Sequence, residues 1–260
     1  MSRPIALVTG GSAGIGAATA HVLARDGHRV ILAARSADRL LELARQLDAT
    51  HGEGTTHVLP LDVSDAHAHQ RALETLPDDW QAIELAVLNA GLALNLVPVW
   101  ENSAEEVDTM VDVNIKGVLN GIRAVVPGML ERGRGHVVLL GSTAGHFVYP
   151  NGTVYCATKF AVGALALGLK QDLHGTPVRV SLVSPGIVET EFSLVRFEGD
   201  AKRADAVYAD THALTAEDVA EAIAWCVARP ESVNIQEILM TPRVQSGGAM
   251  IARGDAAEGL

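Results

Sequence analysis

A tyrosine and a lysine stand four positions apart in the segment YCATK, residues 155 to 159. On a helix this spacing places both side chains on one face, where the ammonium of Lys159 can act electrostatically on the phenol of Tyr155. A phenol has an ordinary pKa of about 10 and is a poor base at neutral pH, but a nearby cation favours phenolate and lowers that pKa. Such a pair could take up the hydroxyl proton of an alcohol as a hydride leaves its carbon. Alone, the spacing is more often ordinary helix surface, so the surrounding residues decide its meaning.

Two other motifs could complete such a reaction. Ser142 ends the apolar run HVVLLGS, where its hydroxyl could bond a substrate oxygen and stabilise developing charge. Near the N-terminus, VTGGSAGIGAATA places Gly10, Gly14 and Gly16 between an apolar run and a helical pattern. A turn this tight needs residues without Cβ, and the helix N-terminus then offers N–H groups and a dipole to a pyrophosphate. A glycine motif alone is a weak indicator, because many strand-to-helix turns need glycine, but this position favours dinucleotide binding.

The second apolar run, in RVILAARSADRL, bears on which dinucleotide would bind. Folds that prefer NAD place an acidic residue at this strand's end to hold the ribose 2′-hydroxyl, whereas an arginine there accommodates a 2′-phosphate. Here the acidic position is Ala34, Arg35 follows it, and Arg39 lies one turn into the next helix. The sequence therefore predicts NADP(H), unless Arg35 and Arg39 are ordinary solvated charges.

Two further strand ends carry candidate cofactor contacts. Asp62 closes the third run in LDV and could accept a hydrogen bond from an adenine amino group. Asn89, Ala90 and Gly91 close the fourth run, where small residues let the backbone approach a cofactor. Taken singly, each is as readily a helix cap or a turn former.

The elements that must position these residues follow from short apolar runs that alternate with longer amphipathic stretches. This alternation is typical of βαβ units with a parallel sheet covered by helices on both faces. The sequence thus predicts an α/β fold, a single doubly wound Rossmann domain over residues 1–260 with a mostly parallel seven-stranded sheet. The expected strands are residues 5–10, 29–35, 57–63, 85–91, 136–142, 179–186 and 235–242.

Three helices and two irregular segments complete the predicted chain. Helices are expected at 14–27, ending at Gly27, at 103–133, beginning with a Ser103–Glu106 capping box and interrupted near Pro127 and Gly128, and at 154–175. Residues 187–212 combine charges with isolated aromatics after a strand end, which indicates a substrate lid. The Gly-, Ala- and Asp-rich tail at 243–260 is expected to be mobile, at least from Ala252 on.

Composition excludes several classes of function. The 260 residues carry a formal net charge of −11, which argues against nucleic-acid binding, since that affinity comes mainly from Lys and Arg. No run reaches the ~18 apolar residues of a membrane span, so no membrane association is expected. Cys156 and Cys226 have no nearby partner, which predicts neither a disulfide framework nor a zinc site and favours a reducing, cytoplasmic location.

Two tempting reactive groups have plainer explanations. Cys156 adjoins the tyrosine, but no histidine base is arranged with it by any motif, which favours a small buried thiol over a nucleophile. His67 and His69 could bind a metal, but a polar helix start beside Asp65 is the better interpretation. No metal is expected.

The motifs TGGSAGIG, LDV, NAG, VDVNIKG, GSTAG, YCATK and SPGIVET occur in this order and resemble those of the short-chain dehydrogenase/reductase family over residues 5 to about 240. The resemblance implies that Asn114, Ser142, Tyr155 and Lys159 are catalytic, with Asn114 holding a water that links Lys159 to solvent. It also implies that Lys159 binds the nicotinamide ribose. The residues that it implies for cofactor binding are Gly10, Ser12, Gly14, Ile15, Gly16, Arg35, Arg39, Asp62, Val63, Asn89, Ala90, Gly91, Tyr155, Lys159, Pro185, Gly186, Val188 and Thr190.

Within that family, segments such as NAGLAL, GSTAGHFVYPNGTVYCATK and TEFSLVRFEGD are most similar to the NADP-dependent 3-hydroxy acid dehydrogenases, which include serine and allo-threonine dehydrogenases. This implies a small acid as substrate, with sulfoacetaldehyde as a related possibility. Such an anion needs a cationic partner, for which Arg196 in the lid and Arg243 near the C-terminus are candidates. Arg196 could instead pair with Glu198 or Asp200.

The sequence also leaves room for a larger substrate. The apolar segment LNLVPVWENS and the aromatic Phe147 and Tyr149 favour a bulkier ketone or aldehyde as the second candidate. A cofactor sensor without turnover is disfavoured, because a sensor does not need the proton-transfer residues. The resemblance further implies a homotetramer, or a homodimer, and the apolar excess of the helices at 103–133 and 154–175 is consistent with helix pairing.

Overall fold

The computed structural model describes residues 3–258 and contains the predicted seven-stranded sheet. Its strand order is β3-β2-β1-β4-β5-β6-β7, and every neighbouring pair is parallel. The α/β Rossmann fold predicted from the sequence is confirmed. The strands are β1 Ile5–Thr9, β2 Arg29–Ala34, β3 Thr56–Pro60, β4 Ile83–Leu88, β5 Gly135–Leu140, β6 Val178–Pro185 and β7 Glu237–Met240.

Helices cover both faces of the sheet. They are α1 Gly14–Arg25, α2 Ala37–His51, α3 Ala68–Glu74, α4 Ala104–Val111, α5 Gly117–Glu131, α6 Thr153–Asp172, α7 Phe192–Arg196, α8 Ala201–Tyr208, α9 Ala216–Val227 and α10 Asp255–Glu258. Successive side chains of β1 point to opposite faces: Leu7 packs in a core with α5 and α6, whereas Val8 packs in one with α1, α2 and α9. This two-sided burial explains why the strands read as continuous apolar runs.

The sequence predicts the start of α4 correctly, but not the position at which the long helix at 103–133 is interrupted. Helix α4 begins with the expected capping box, in which the Ser103 hydroxyl accepts from the Glu106 N–H and the Glu106 carboxylate accepts from the Ser103 N–H. The predicted interruption near Pro127 and Gly128 is wrong, because α5 continues through both residues. Pro127 lies on the exposed side of α5, where water can bond the carbonyl that its ring leaves free. The chain is irregular earlier, in a π-helical turn over Asp112–Lys116.

The lid and the tail pack against each other. Helices α7 and α8 occupy the lid, which begins with a single bridge between Val188 and Leu214. The tail is expected from its composition to be mobile, but its described part forms the hairpin β8 Gln245–Ser246 and β9 Met250–Ile251, followed by α10. The Arg253 guanidinium donates to the carbonyl oxygens of Val207 and Ala209 at the end of α8. These bonds give the glycine-rich tail a fixed place beside the lid.

Over the described residues no helix is long and apolar enough to cross a membrane.

Candidate active site

A cleft with a volume of about 570 Å³ opens at the carboxyl ends of the strands, beneath the lid. Parallel sheets of this topology bind ligands at this edge. The cleft brings together nearly all of the predicted site residues. Those that line it are Gly10, Ser12, Gly14, Ile15, Arg35, Arg39, Asp62, Val63, Asn89, Ala90, Gly91, Ser142, Tyr155, Lys159, Pro185, Gly186, Val188 and Thr190. Gly16, Asn114 and Arg196 are not among the residues that line it, although Arg196 lies against the lining residue Tyr155.

The glycine turn between β1 and α1 is closed by backbone contacts that leave no room for side chains. Gly10 has a φ of +66°, and a Cβ on Gly16 would lie 2.1 Å from the Gly10 carbonyl oxygen. The N-cap residue of α1 is Ala13, whose side chain offers no hydrogen bond to the first turn. The N–H groups at this helix end are therefore left for a ligand, and helix N-termini attract anions.

Thr9 and Asn89 hold the neighbouring strand ends at this edge together. The Thr9 hydroxyl accepts hydrogen bonds from the N–H groups of Asn89, at 3.0 Å, and Ala90, at 3.1 Å. The Asn89 amide donates in return to the Thr9 carbonyl at 2.9 Å. Because these bonds join β1 to the end of β4, they fix the floor of the cleft before any ligand arrives.

The end of β2 presents two arginines to the cleft. Arg35 and Arg39 both line it, and the Arg39 guanidinium pairs with Glu191 of the lid at 2.9 Å. Asp62 lies nearby, where one carboxylate oxygen accepts from the Ser64 hydroxyl and N–H. These bonds lower the pKa of Asp62, to which the Arg35 charge also contributes. Asp62 is thus both a turn former and a cleft residue.

Tyr155 and Lys159 lie on one face of α6, as their spacing predicts. The pKa of Tyr155, however, shifts in the direction opposite to the expected one. Burial raises the pKa of Tyr155 above its ordinary value, and the charge of Arg196 and the hydroxyl of Ser142 only partly oppose this. The Lys159 Nζ lies 5.9 Å from the centre of the Tyr155 ring. The expected fall of the Tyr155 pKa through Lys159 is therefore wrong for this structure, because removal of water outweighs the charge of Arg196, the cation that acts on the phenol here. Tyr155 stays a protonated phenol at neutral pH.

Lys159 is 5% exposed and donates from Nζ to the Leu140 carbonyl oxygen at 2.8 Å. Burial lowers its pKa to about 8. Gly91 lies beside it, since a Cβ there would be 3.5 Å from the Lys159 Nζ and 3.3 Å from the Asn114 amide oxygen. Lys159 can therefore exchange a proton near neutral pH.

Asn114 lies in the π-helical turn and is 1% exposed. Its amide oxygen accepts from the Leu92 N–H at 2.9 Å, and its amide nitrogen donates to the Leu92 carbonyl and the Thr158 hydroxyl. These bonds join the loop after β4 to α6 directly behind Lys159. The water-holding role expected of Asn114 stays a prediction.

Arg196 approaches Tyr155 from the lid. Its guanidinium carbon lies 5.3 Å from the centre of the Tyr155 ring and 5.0 Å from that of Phe192, and Nη2 donates to the Tyr149 hydroxyl at 3.3 Å. Its buried Nε has no hydrogen-bond partner, and within residues 3–258 Arg196 forms no ion pair with Glu198, Asp200 or any other carboxylate. The guanidinium is thus a half-buried charge that lacks an anion.

The other candidate groups lie away from the cleft. Arg243 is exposed and does not line it. Cys156 is buried, its Sγ faces the Phe147 carbonyl, and burial raises the pKa of its thiol, which suits a packing role. His69 is buried at 2% exposure, and the described residues contain no cluster of three side chains that could bind a metal.

Comparison with known proteins identifies the family to which a chain with this site belongs. The family model described as short chain dehydrogenase matches residues 4–200. The chain belongs to this family. Over 243 residues it is 45% identical to the NADP-dependent 3-hydroxy acid dehydrogenase YdfG of Salmonella typhi, covering 93% of this chain and 96% of that protein. It is 39% identical over 240 residues to serine 3-dehydrogenase of Rhizobium radiobacter, covering 92% of this chain and 94% of that protein.

A solved structure of the closed form of serine dehydrogenase complexed with NADP+ matches with a TM-score of 0.91 at 43% identity, covering 96% of this chain and 99% of the other. The resemblance predicted from the sequence is confirmed, and the protein is an oxidoreductase of the short chain dehydrogenase family.

Several site residues of this dehydrogenase were not predicted from the sequence. Glu191 and Phe192 line the cleft, the Leu140 carbonyl holds Lys159, and Thr9 organises the end of β4. Glu191 and Phe192 directly follow a recognised motif, so their position could have suggested them. The other two act through a backbone carbonyl and a strand hydroxyl, for which the sequence offers no signal.

Proposed function

We propose that this dehydrogenase transfers a hydride between NADP(H) and a small 3-hydroxy acid, such as serine or allo-threonine, and the corresponding carbonyl compound. The observation that carries the proposal is the unpaired guanidinium of Arg196 beside the Tyr155 phenol. An acid with its carboxylate on Arg196 would bring its hydroxyl-bearing carbon toward Tyr155. The similarity to 3-hydroxy acid and serine dehydrogenases supports the same substrate class.

The cleft fits a phosphorylated dinucleotide. A Cβ on Gly10 or Gly16 would fill the glycine turn, and the uncapped N-terminus of α1 favours a pyrophosphate. Arg35 and Arg39 are suited to the 2′-phosphate, and Asp62 and Val63 to the adenine. The remaining predicted residues, from Asn89 to Thr190, would hold the nicotinamide half. When bound, the dinucleotide supplies the hydride or accepts it.

The chain's own groups would handle the proton. Tyr155 keeps its proton at neutral pH because burial raises its pKa, so the phenol can donate to the oxygen of a carbonyl substrate during reduction. The Ser142 hydroxyl lies beside this phenol and can bond the same oxygen. Lys159, with a pKa of about 8, can restore the proton, while Asn114 holds the backbone behind it. For oxidation, neutral Lys159 would first take the proton of Tyr155, so that the phenolate can accept the hydroxyl proton of the alcohol as the hydride leaves.

A bulkier ketone or aldehyde is the second candidate substrate. Sulfoacetaldehyde is a related candidate, whose sulfonate would bind Arg196 as the carboxylate of an acid would. The cleft is also lined by Leu92, Phe192 and Val195, which offer apolar contacts that a compact acid does not need. A cofactor sensor is the non-enzymatic candidate, although it would not require Ser142, Tyr155 and Lys159 together.

We propose further that the enzyme is a cytoplasmic homotetramer, or a homodimer. Exposed apolar side chains support self-association, since Leu119 and Leu130 on α5 and Phe160 and Leu167 on α6 are each at least 38% exposed. The free thiols of Cys156 and Cys226 are consistent with a reducing compartment.

Steady-state kinetics would test the substrate class. Serine, other 3-hydroxy acids, sulfoacetaldehyde and larger uncharged ketones should be compared with NADP(H) and NAD(H), using wild type and Arg196→Met. Loss of a charged hydrogen bond should raise KM for an acid by about 10- to 100-fold and leave uncharged ketones nearly unaffected. The matched control is Arg203→Met, an exposed lid arginine.

Each candidate function has its own outcome in these kinetics. Equal effects of Arg196→Met on acids and ketones would contradict the role of Arg196. Preference for large ketones would select the second candidate, and preference for NAD(H) would remove Arg35 and Arg39 from the proposal. No turnover with any compound would favour the sensor.

A further inference from the structure

We infer that Glu191 is a specificity-determining residue that competes with the 2′-phosphate of NADP(H) for Arg39 and thereby limits the preference of this enzyme for NADP(H) over NAD(H). The inference rests on the proposed role of Arg39 at the 2′-phosphate. It adds an opposing group, which belongs to the lid and not to the dinucleotide-binding strands.

The geometry places one carboxylate against one of the two arginines proposed for the 2′-phosphate. The Nη2 of Arg39 donates to both carboxylate oxygens of Glu191, at 3.0 and 2.9 Å. Both side chains line the same cleft as Arg35, and they are 49% and 56% exposed. An incoming phosphate therefore meets an arginine that already has an anionic partner.

The lid brings Glu191 to this position through its neighbour. Thr190 packs against the glycine turn, since a Cβ on Gly14 would lie 3.4 Å from two Thr190 side-chain carbons. Glu191 is the N-cap residue of α7, so its backbone is set by both the turn and the helix. The carboxylate thus stays close to the phosphate-binding end of the cleft.

The charges decide the direction of the effect. A 2′-phosphate must share Arg39 with Glu191 or displace it, and two anions near one guanidinium repel each other. NAD(H) carries a hydroxyl at this position and meets neither cost. Removing the carboxylate should therefore improve the binding of NADP(H) alone.

Calorimetric titration of the full chain with NADP+ and NAD+ tests this without turnover. For Glu191→Gln we expect NADP+ to bind about three- to tenfold more tightly, the range of an exposed ion pair with added repulsion, while NAD+ affinity stays the same. The gain should fade in 1 M salt, which screens exposed charges. Asp205→Asn removes an exposed lid carboxylate that forms no ion pair in the described chain and should change neither affinity.

A double-mutant cycle separates this inference from the proposed function. Arg39→Gln should weaken NADP+ selectively, and Glu191→Gln should then add little in that background. If Glu191→Gln leaves NADP+ affinity unchanged, or weakens it while the fold is intact by circular dichroism, competition is refuted and Glu191 is inert or a positioning residue for Arg39. If Arg39→Gln alone does not weaken NADP+, the assignment of Arg39 fails as well.

Discussion

The two sides of the cleft are held in different ways. The strand-end side is fixed by bonds that involve the backbone: Asn89 donates to the Thr9 carbonyl, and Lys159 donates to the Leu140 carbonyl. The lid is anchored at its ends by backbone bonds, such as the Val188–Leu214 bridge and the bonds from Arg253 to the carbonyls of Val207 and Ala209, but over the cleft its side chains make contacts with other side chains, such as Arg196 with Tyr149 and Arg39 with Glu191. Residues of the lid can therefore change without disturbing the sheet. In the functions proposed above, the first side carries the hydride and proton chemistry, while the lid sets substrate choice through Arg196 and cofactor preference through Glu191.

The largest effect should come from removing the phenol on the strand-end side. Tyr155→Phe should lower kcat by at least about a thousandfold, because the proton of the reacting oxygen loses its donor, while NADPH binding is retained. The control is Tyr208→Phe in the lid, whose hydroxyl hydrogen-bonds only with Ser193 and Thr190 among residues 3–258, and it should keep activity within about threefold of wild type. Stopped-flow turnover and NADPH fluorescence measure both quantities. Full turnover by Tyr155→Phe would end the assignment.

The tight packing of backbone atoms in the glycine turn provides the next test. A Cβ on Gly16 would lie 2.1 Å from the Gly10 carbonyl oxygen, so Gly16→Ala must push the turn open. Overpacking of this kind should weaken NADPH binding by about 10- to 100-fold and lower the melting temperature. Gly163→Ala in α6 is the matched control, because nothing lies within 4 Å of a Cβ there. Equal NADPH affinity in the two variants would show that the turn is not rigid.

The strand-end side could be predicted from the sequence because its residues follow short apolar runs. Gly10, Asp62 and Asn89 each stand near the end of a short apolar run that is typical of a buried strand, and parallel strands bring such ends together. Neighbours along the chain therefore become neighbours in space. The number of strands and their parallel arrangement follow from the same regularity, whereas the order of the strands was not predicted.

The sequence predicts where the lid lies along the chain, but not which contacts its residues make. The contact of Arg39 with Glu191 joins residues 152 positions apart, and no pattern in either segment indicates it. The sign of the Tyr155 pKa shift is hidden for a related reason: spacing reveals the partner Lys159 but not the amount of water removed. The π-helical turn at Asn114 also replaces the break expected at Pro127, since tertiary packing decides which turn is irregular.

A smaller effect is expected when a contact of the lid is removed and the strand ends are left unchanged. Tyr149→Phe removes the hydroxyl that accepts from Arg196 Nη2 at 3.3 Å, so the guanidinium loses part of its orientation. We expect KM for a 3-hydroxy acid to rise about three- to tenfold with kcat changed less, as for loss of one hydrogen bond to a charged group. NADPH affinity should not change, because Tyr149 does not line the cofactor cleft. A fall in kcat without a change in KM would instead connect Tyr149 to the proton transfer at Tyr155.

The smallest predicted effect contrasts a buried histidine behind the sheet with an exposed one in the lid. His69 is 2% exposed, neither ring nitrogen has a partner, and burial lowers its pKa from 6.5 to about 4. Below pH 6.5 this histidine binds a proton in the unfolded chain but not in the folded chain. The free energy of unfolding is therefore highest above this pH and falls as the pH drops toward 4. Between pH 7 and pH 5.5 this histidine should cost about 1 kcal/mol of unfolding free energy.

Urea unfolding at the two pH values measures that loss. His69→Leu removes the proton-binding group and keeps an apolar side chain in the core, so its stability should fall by about 1 kcal/mol less than that of wild type on acidification. His212→Leu, at an exposed lid position, should keep the wild-type loss. If both variants lose stability as wild type does, the acid response does not come from His69. If His212→Leu alone resists acid, the lid contributes more to folding stability than its few side-chain contacts imply.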